Sequence, residues 1–188
     1  MRAVFLDRDG VVDRAVVRDG KPYPPDSARE VEIPPDVPQA LRDLKQAGFL
    51  LLVVTNQPDV ARGTQQRSEV EAIHAVLRAA LPIDDFLVCY HDEHHDCGCR
   101  KPKPGMLMDA AATYGLDLSA SYLVGDRWRD IDAGHAAGCT TVWIDRGYDE
   151  KGPTEPPAIQ VQSLGEAVAW ILKRTTPGGC GLLPFSSS

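Results

Sequence analysis

The sequence predicts an α/β fold, an open and mostly parallel Rossmann-like sheet flanked by helices. Three observations lead there. Short, almost wholly apolar runs recur along the chain (AVFL, LLLVV, FLVC, YLVG, TTVWI), as expected of strands covered on both faces. Between them lie segments whose apolar residues fall three and four apart, the pattern of amphipathic helices. Alternation of this kind builds parallel sheets, which bind ligands beyond the carboxyl ends of their strands.

The first strand spans Ala3–Asp7 and ends in a carboxylate. Residues 21–38 are rich in proline with little periodicity, so a loop is expected, partly ordered over a site. In residues 37–47 Val37, Leu41 and Leu44 keep helical spacing, and Gly48 marks the stop. The run FLLLVVTNQ is a second strand, apolar to Val54. Ser68–Leu81 reads as a helix, with Ser68 as N-cap and Glu71 completing a capping box. Then come a strand at Phe86–Tyr90, a helix at Pro104–Tyr114, a strand at 121–125, a helix at Arg129–Ala137 and a strand at 140–144. A final helix spans Leu164–Lys173. No internal repeat is present. Residues 1–174 are expected to form one domain, and 175–188 (TTPGGCGLLPFSSS) a flexible tail.

The 188 residues suffice for a real core, with 43% hydrophobic and 25% charged residues. A net charge of −7 argues against general nucleic-acid binding, which needs a basic face. The local exception is Arg100–Lys103. No apolar run reaches the 18 or so residues that cross a bilayer. The N-terminus meets an acid at Asp7, unlike a signal peptide, so a cytoplasmic protein is expected. Of five cysteines, Cys89, Cys97 and Cys99 cluster, which in a reducing compartment points to metal rather than disulfides. Cys139 is expected in the core and Cys180 in the tail.

The chemistry gathers at the strand ends. In FLDRDGVV, Asp7 and Asp9 follow a buried strand, and Gly10 permits a sharp turn. Two acids in one site suit a division of labour, one ionised as nucleophile and one holding a proton. Asp126 and Asp130 in GDRWRD reach the same sheet edge. Asp7, Asp9 and Asp126 together form a hard oxygen set of the kind Mg²⁺ takes. Thr55 and Asn56 offer donors to phosphate oxygens, and Arg100 and Lys101 add positive charge. These are the parts of a phosphoryl-transfer site.

DRDGV, TNQ, RKPKPG and GDRWRD, in this order and spacing, resemble the motifs of the haloacid-dehalogenase superfamily of phosphatases across residues 3–147. C-x-H followed by C-x-C before RKP resembles the branch that holds the heptose 1,7-bisphosphate and histidinol-phosphate phosphatases. The resemblance implies a small phosphorylated substrate, no large cap domain and no macromolecular partner; a monomer is expected. It implies that Asp7 is the nucleophile and Asp9 the acid and base. Thr55 would steady the phosphoryl group and Lys101 would neutralise it. Asn56, Gln57, Arg100 and Arg127 would bind substrate, Arg100 at a second phosphate, and Mg²⁺ would rest on the Asp7 and Asp126 carboxylates and the Asp9 carbonyl. Asp130 would stand behind them. Arg127 departs from the lysine usual in the heptose enzymes, and its planar fork is not a point charge.

Cys89, His91, Cys97 and Cys99 have the ligand types of a tetrahedral Zn²⁺ site. The resemblance implies a structural zinc in a small loop that fixes Arg100 and Lys101. His94 or His95 could replace His91, and free thiols or a redox pair are the competing readings. VARG at 60–63 and PGM at 104–106 resemble the heptose enzymes, whereas the short gap from His91 to Cys97 resembles the histidinol-phosphate enzymes. The loop around residues 15–25 should help select substrate. A non-catalytic zinc-stabilised phosphosugar-binding module and a zinc-catalysed hydrolase are the alternatives of a different class. His74 and His135 are expected on helix surfaces, Trp143 in the core, and Trp128 either packed or lining a substrate wall.

Overall fold

A computed structural model describes residues 1–175. In chain order it contains β1 (Ala3–Leu6), β2 (Val16–Arg18), β3 (Lys21–Tyr23), α1 (Val37–Gln46), β4 (Leu50–Asn56), α2 (Arg67–Ala80) and β5 (Asp85–Cys89). There follow α3 (Gly105–Tyr114), β6 (Tyr122–Gly125), α4 (Trp128–Ala137), β7 (Thr140–Ile144), β8 (Ile159–Val161) and α5 (Leu164–Thr175). Six strands form one sheet in the order β5-β4-β1-β6-β7-β8, and every neighbouring pair is parallel.

Strand alternation divides the core into two layers. Val4, Leu6, Leu51 and Val53 face one side, where α1, α2 and α5 cover them through Leu41, Leu44, Ile73, Leu77, Val168 and Ile171. Ala3, Phe5, Leu52 and Val54 face the other, under Met106, Leu107 and Ala110 of α3 and Ala133 of α4. Most of these side chains are fully buried, and each Val, Leu, Ile, Phe or Met among them stabilises the fold by roughly 1.5–3 kcal/mol relative to exposure. The chain runs outward from β1 to β5 with helices on the first side. It then returns through α3 to β6, beside β1. That reversal leaves a crevice at the carboxyl end of β1.

The expected strands and helices are present, with ends shifted by a residue or two. Two elements were not expected. Val16–Arg18 and Lys21–Tyr23 pair as an antiparallel hairpin, turned by Asp19 (φ 50°) and Gly20 (φ 72°). Positive φ at both central residues is the type I′ geometry that Asp-Gly favours. The other is β8, a three-residue edge strand. Ser68 does not cap α2: Gln66 holds the extended N-cap position, and the Ser68 hydroxyl donates to the Gln66 side chain. Glu71 instead accepts the Tyr90 hydroxyl at 2.6 Å. Trp143 is half-buried rather than core, while Cys139 is buried. His135 is half-buried, its Nε2 2.9 Å from the Thr141 hydroxyl. Cys180 and the tail beyond Thr175 lie outside the described residues.

His74 is the clearest correction. It is buried rather than exposed, stacked on Phe86 at 4.5 Å, with Nε2 3.0 Å from Arg8 Nη1. Burial, helped by the Arg8 charge, pushes its pKa down to about 4. An acidifying solution therefore protonates the unfolded chain first. Stability from the neutral ring is complete above the ordinary histidine value and is lost as pH falls toward 4. Urea unfolding of wild type and His74→Gln should show the wild-type advantage shrinking by about 2 kcal/mol from pH 7.5 to pH 5. A constant advantage would mean that the ring titrates normally.

Candidate active site

The last rung of β1 is the Asp7 N–H, which donates to the Val124 carbonyl of β6 at 3.0 Å. The chain then turns so sharply that the N–H groups of Val11, Val12 and Asp13 all converge on the Arg8 carbonyl, at 3.2, 2.8 and 3.1 Å. Gly10 makes this possible at φ 90°, and the place a Cβ would take is already filled by the Asp126 carboxylate and the Tyr148 hydroxyl. The turn presses the end of β1 against the end of β6.

Lys101 enters from the segment before α3 and is buried at 3% exposure. Its ammonium donates to Asp7 Oδ1 at 2.8 Å and the Val54 carbonyl at 2.6 Å, and pairs with Asp130 Oδ1 at 2.6 Å. Burial opposes its charge, but Asp130 and Asp7 outweigh that and hold its pKa above the usual lysine value. Asn56 secures the backbone here, its amide donating to the Lys101 carbonyl and accepting the Lys101 N–H at 3.0 and 3.1 Å. Thus the Asn56 side chain clamps two motifs together.

Asp9 is held on both oxygens. Oδ1 accepts from Arg8 Nε and Nη2 at 3.1 and 2.9 Å, and Oδ2 accepts from Gln57 Nε2 at 2.8 Å. Gln57 is buried beneath the cleft, and the same amide donates to Thr55 Oγ1 at 2.9 Å. Arg8, fully buried, ties Asp9 to His74 on α2. Sequence reasoning passed over Arg8 as a spacer between two acids. The signal was available: position 8 continues the alternation of Val4 and Leu6 toward the core, where a guanidinium requires partners. Tyr148 and Glu150, some 20 residues beyond Asp126, carried no such signal.

Asp7, Asp126 and Asp130 each place a carboxylate oxygen within 4.8 Å of the others. Burial, with Asp7 and Asp130 close by, drives Asp126 well above the usual carboxylate range; burial and Asp7 lift Asp130 to about 6. Asp126 Oδ2 accepts from Tyr148 at 2.9 Å, but its buried Oδ1 has no partner among the described residues. Both oxygens of Asp130 are engaged, by Lys101 and by the Arg127 N–H. This leaves Asp7 and Asp126 with oxygen to spare and Asp130 without, a donor set that fits a hard divalent cation with Asp130 behind it. The Asp9 side chain faces Arg8 and Gln57 instead.

Cys89, His91, Cys97 and Cys99 converge as free thiols and one imidazole. Cys89 Sγ lies 3.2 Å from Cys99 Sγ, 3.8 Å from Cys97 Sγ and 3.7 Å from His91 Nδ1. A tetrahedron with Zn–S bonds of about 2.3 Å has sulfur–sulfur edges of about 3.8 Å, so the set fits zinc. Burial pushes the Cys89 thiol up to about 12, a cost a bound cation would remove. His95 Nδ1 is drawn to Asp92 at 2.6 Å, away from the sulfurs. Arg100 follows directly and donates to the His91 carbonyl at 3.0 Å.

Above these groups lies a cleft of about 380 Å³, walled by the β2–β3 hairpin on one side and by Arg62, Arg100, Arg127 and Arg129 on others. Arg127 pairs with Glu150. Trp128 lies in a neighbouring depression, with the Lys151 ammonium 3.8 Å over its ring.

Comparison with known proteins agrees with this arrangement. Residues 98–167 match the HAD-hydrolase-like family model. The chain is 36% identical to the D-glycero-β-D-manno-heptose-1,7-bisphosphate 7-phosphatase of Pseudomonas aeruginosa, over 77% of this chain and 81% of that protein. It is likewise 36% identical to the Escherichia coli K12 enzyme of the same name, over 93% and 96%. Among solved structures, the D,D-heptose 1,7-bisphosphate phosphatase of Bordetella bronchiseptica, complexed with magnesium and phosphate, superposes with a TM-score of 0.79 at 31% identity, covering 93% of this chain and 99% of that one. A HAD-like phosphatase from Mesorhizobium loti gives 0.74 at 31% identity, covering 91% and 86%. The chain belongs to the haloacid-dehalogenase superfamily, in the family of these phosphatases, and is a phosphoric monoester hydrolase.

Proposed function

We propose that the chain removes the 7-phosphate of D-glycero-D-manno-heptose 1,7-bisphosphate through an aspartyl-phosphate on Asp7. The observation that carries this reading is the environment of Asp7, which has one oxygen free of hydrogen bonds and the Lys101 ammonium on the other. It stands under a cleft rich in arginine. The substrate comes from the names of the relatives, with VARG and PGM in support.

Asp7 attacks phosphorus, and the bond from phosphorus to the sugar oxygen breaks as the Asp7 oxygen–phosphorus bond forms. Asp9 gives its proton to the departing alkoxide, then takes one from the water that cleaves the aspartyl-phosphate, which restores Asp7 and releases phosphate. Both Asp9 oxygens accept hydrogen bonds. To carry a proton it must release one donor, and Gln57, already shared with Thr55, is the one able to let go. Thr55 Oγ1 accepts from Gln57, so its own hydrogen is free for a phosphoryl oxygen. Lys101 neutralises charge on that group. Mg²⁺ held by Asp7, Asp126 and the Asp9 carbonyl would supply further neutralisation of the phosphoryl oxygens.

Zinc on Cys89, His91, Cys97 and Cys99 would serve structure, since four protein ligands leave no position for water. Its part is to set Arg100 and Lys101 at the cleft. We read residues 1–174 as one phosphatase domain acting as a cytoplasmic monomer; among the described residues no helix is long and apolar enough to cross a membrane.

Phosphate release with Mg²⁺ should favour one anomer of the heptose 1,7-bisphosphate over histidinol phosphate by at least about tenfold. A preference for histidinol phosphate would sink the substrate reading. Asp7→Asn should lose at least about a thousandfold in kcat with an unchanged circular-dichroism spectrum; retained turnover would refute the covalent route. Elemental analysis should find one zinc per chain, lost in Cys99→Ser together with thermal stability and most activity. Full activity in zinc-free protein would remove zinc from the reading.

A further inference from the structure

Of the cations that line the cleft, only Lys21 and Arg129 have no ion pair among the described residues, and Lys21 is exposed whereas Arg129 is half-buried. Arg62 pairs with Asp59 and Glu93, Arg127 with Glu150, and Lys101 with Asp7 and Asp130. Arg100 has the His91 carbonyl, with Glu93 at 3.7 Å. Arg129 makes no hydrogen bond and no ion pair among the described residues. Its one recorded contact is with the face of Trp128, 5.1 Å from the guanidinium carbon. The two acids that act on its charge, Glu150 and Asp130, are already committed to Arg127 and Lys101.

The position is also electrostatically poor. Arg129 sits in the first turn of α4, where the helix dipole repels a cation. It is half-buried, and burial together with Arg127 and Arg100 disfavours its charge. Only the fields of Glu150 and Asp130 and the Trp128 face offset this, with no direct ion pair among the described residues, and the side chain lines both the catalytic cleft and the adjoining depression. A guanidinium without an ion pair, lining two adjoining hollows, is placed for a multivalent anion that reaches past the reacting group.

We propose that Arg129 is a specificity-determining residue that binds the non-reacting phosphate of a doubly phosphorylated sugar. The assignment rests on the bisphosphate reading given above. The planar fork of arginine takes two phosphate oxygens at once. Trp128 braces its far side, and the phosphate supplies the counter-charge that the protein withholds. The contact is absent for a monophosphate, so the residue sets the preference between the two substrate classes.

The test compares kcat/KM for heptose 1,7-bisphosphate with kcat/KM for heptose 7-phosphate, which shares the reacting bond and lacks the second phosphate. Loss of a charged hydrogen bond should lower this ratio by about 10- to 100-fold in Arg129→Gln, mainly through KM of the bisphosphate, and Arg129→Lys should recover part of it. Because the readout is a ratio, partial misfolding, which lowers both values together, does not imitate the effect. A wild-type preference that survives in Arg129→Gln overturns the role of Arg129 and leaves the substrate reading standing. A wild type with no preference for the bisphosphate overturns the substrate reading, and this assignment with it.

Discussion

One buried ammonium organises this molecule. Lys101 Nζ donates to Asp7 and the Val54 carbonyl and forms an ion pair with Asp130. It thereby joins β1, β4 and α4 at a point with almost no water to share the charge. Removing it would leave two acids facing each other in a low-dielectric pocket, several kcal/mol worse than the paired state. The neighbouring details serve that placement. Asn56 fixes the lysine backbone, the cysteine-rich loop delivers the segment, and Gly105 lets α3 begin against Gly98, where any Cβ would collide.

Around that centre, charge is sorted by depth. The protein carries −7 overall, yet the cleft presents arginines at its wall, with Asp59 and Glu150 paired to two of them, and keeps Asp7 and Asp130 at its floor. An anion approaching the cleft meets the arginines first and Asp7 last. This arrangement reconciles an acidic surface with a phosphorylated substrate, because close fixed charges outweigh a screened distant field.

The legible parts of the sequence were those with a single physical cause. Strands buried on both faces write themselves as apolar runs, so five of the six sheet strands stood out, and the acids at their ends located the cleft. The β2–β3 hairpin lacks a buried face: Val17 and Tyr23 are exposed, leaving only Asp19-Gly20 as a mark. The strand β8 is too short to show a period. His74 looked exposed because its helix is polar around it, and its burial depends on Arg8, 66 residues away. Ser68 matched a capping box locally, but Glu71 was claimed by Tyr90. What pattern reading missed in the site, namely Arg8, Tyr148 and Glu150, are residues defined by tertiary partners rather than by neighbours in the chain.

The acids beneath the cleft carry a consequence for the energy of the whole fold. Asp126 keeps a bare oxygen in the interior. Asp13, also buried, has neither carboxylate oxygen hydrogen-bonded among the described residues, and burial together with Asp9 drives its pKa well up. Such groups are frustrated: the chain would be more stable with apolar residues in their place, and it forgoes that stability to keep carboxyl groups there. Any cation that settles between Asp7 and Asp126 relieves the conflict by mass action. Ligation and folding then draw on the same free energy, and the melting temperature of the protein becomes a gauge of how full its own site is.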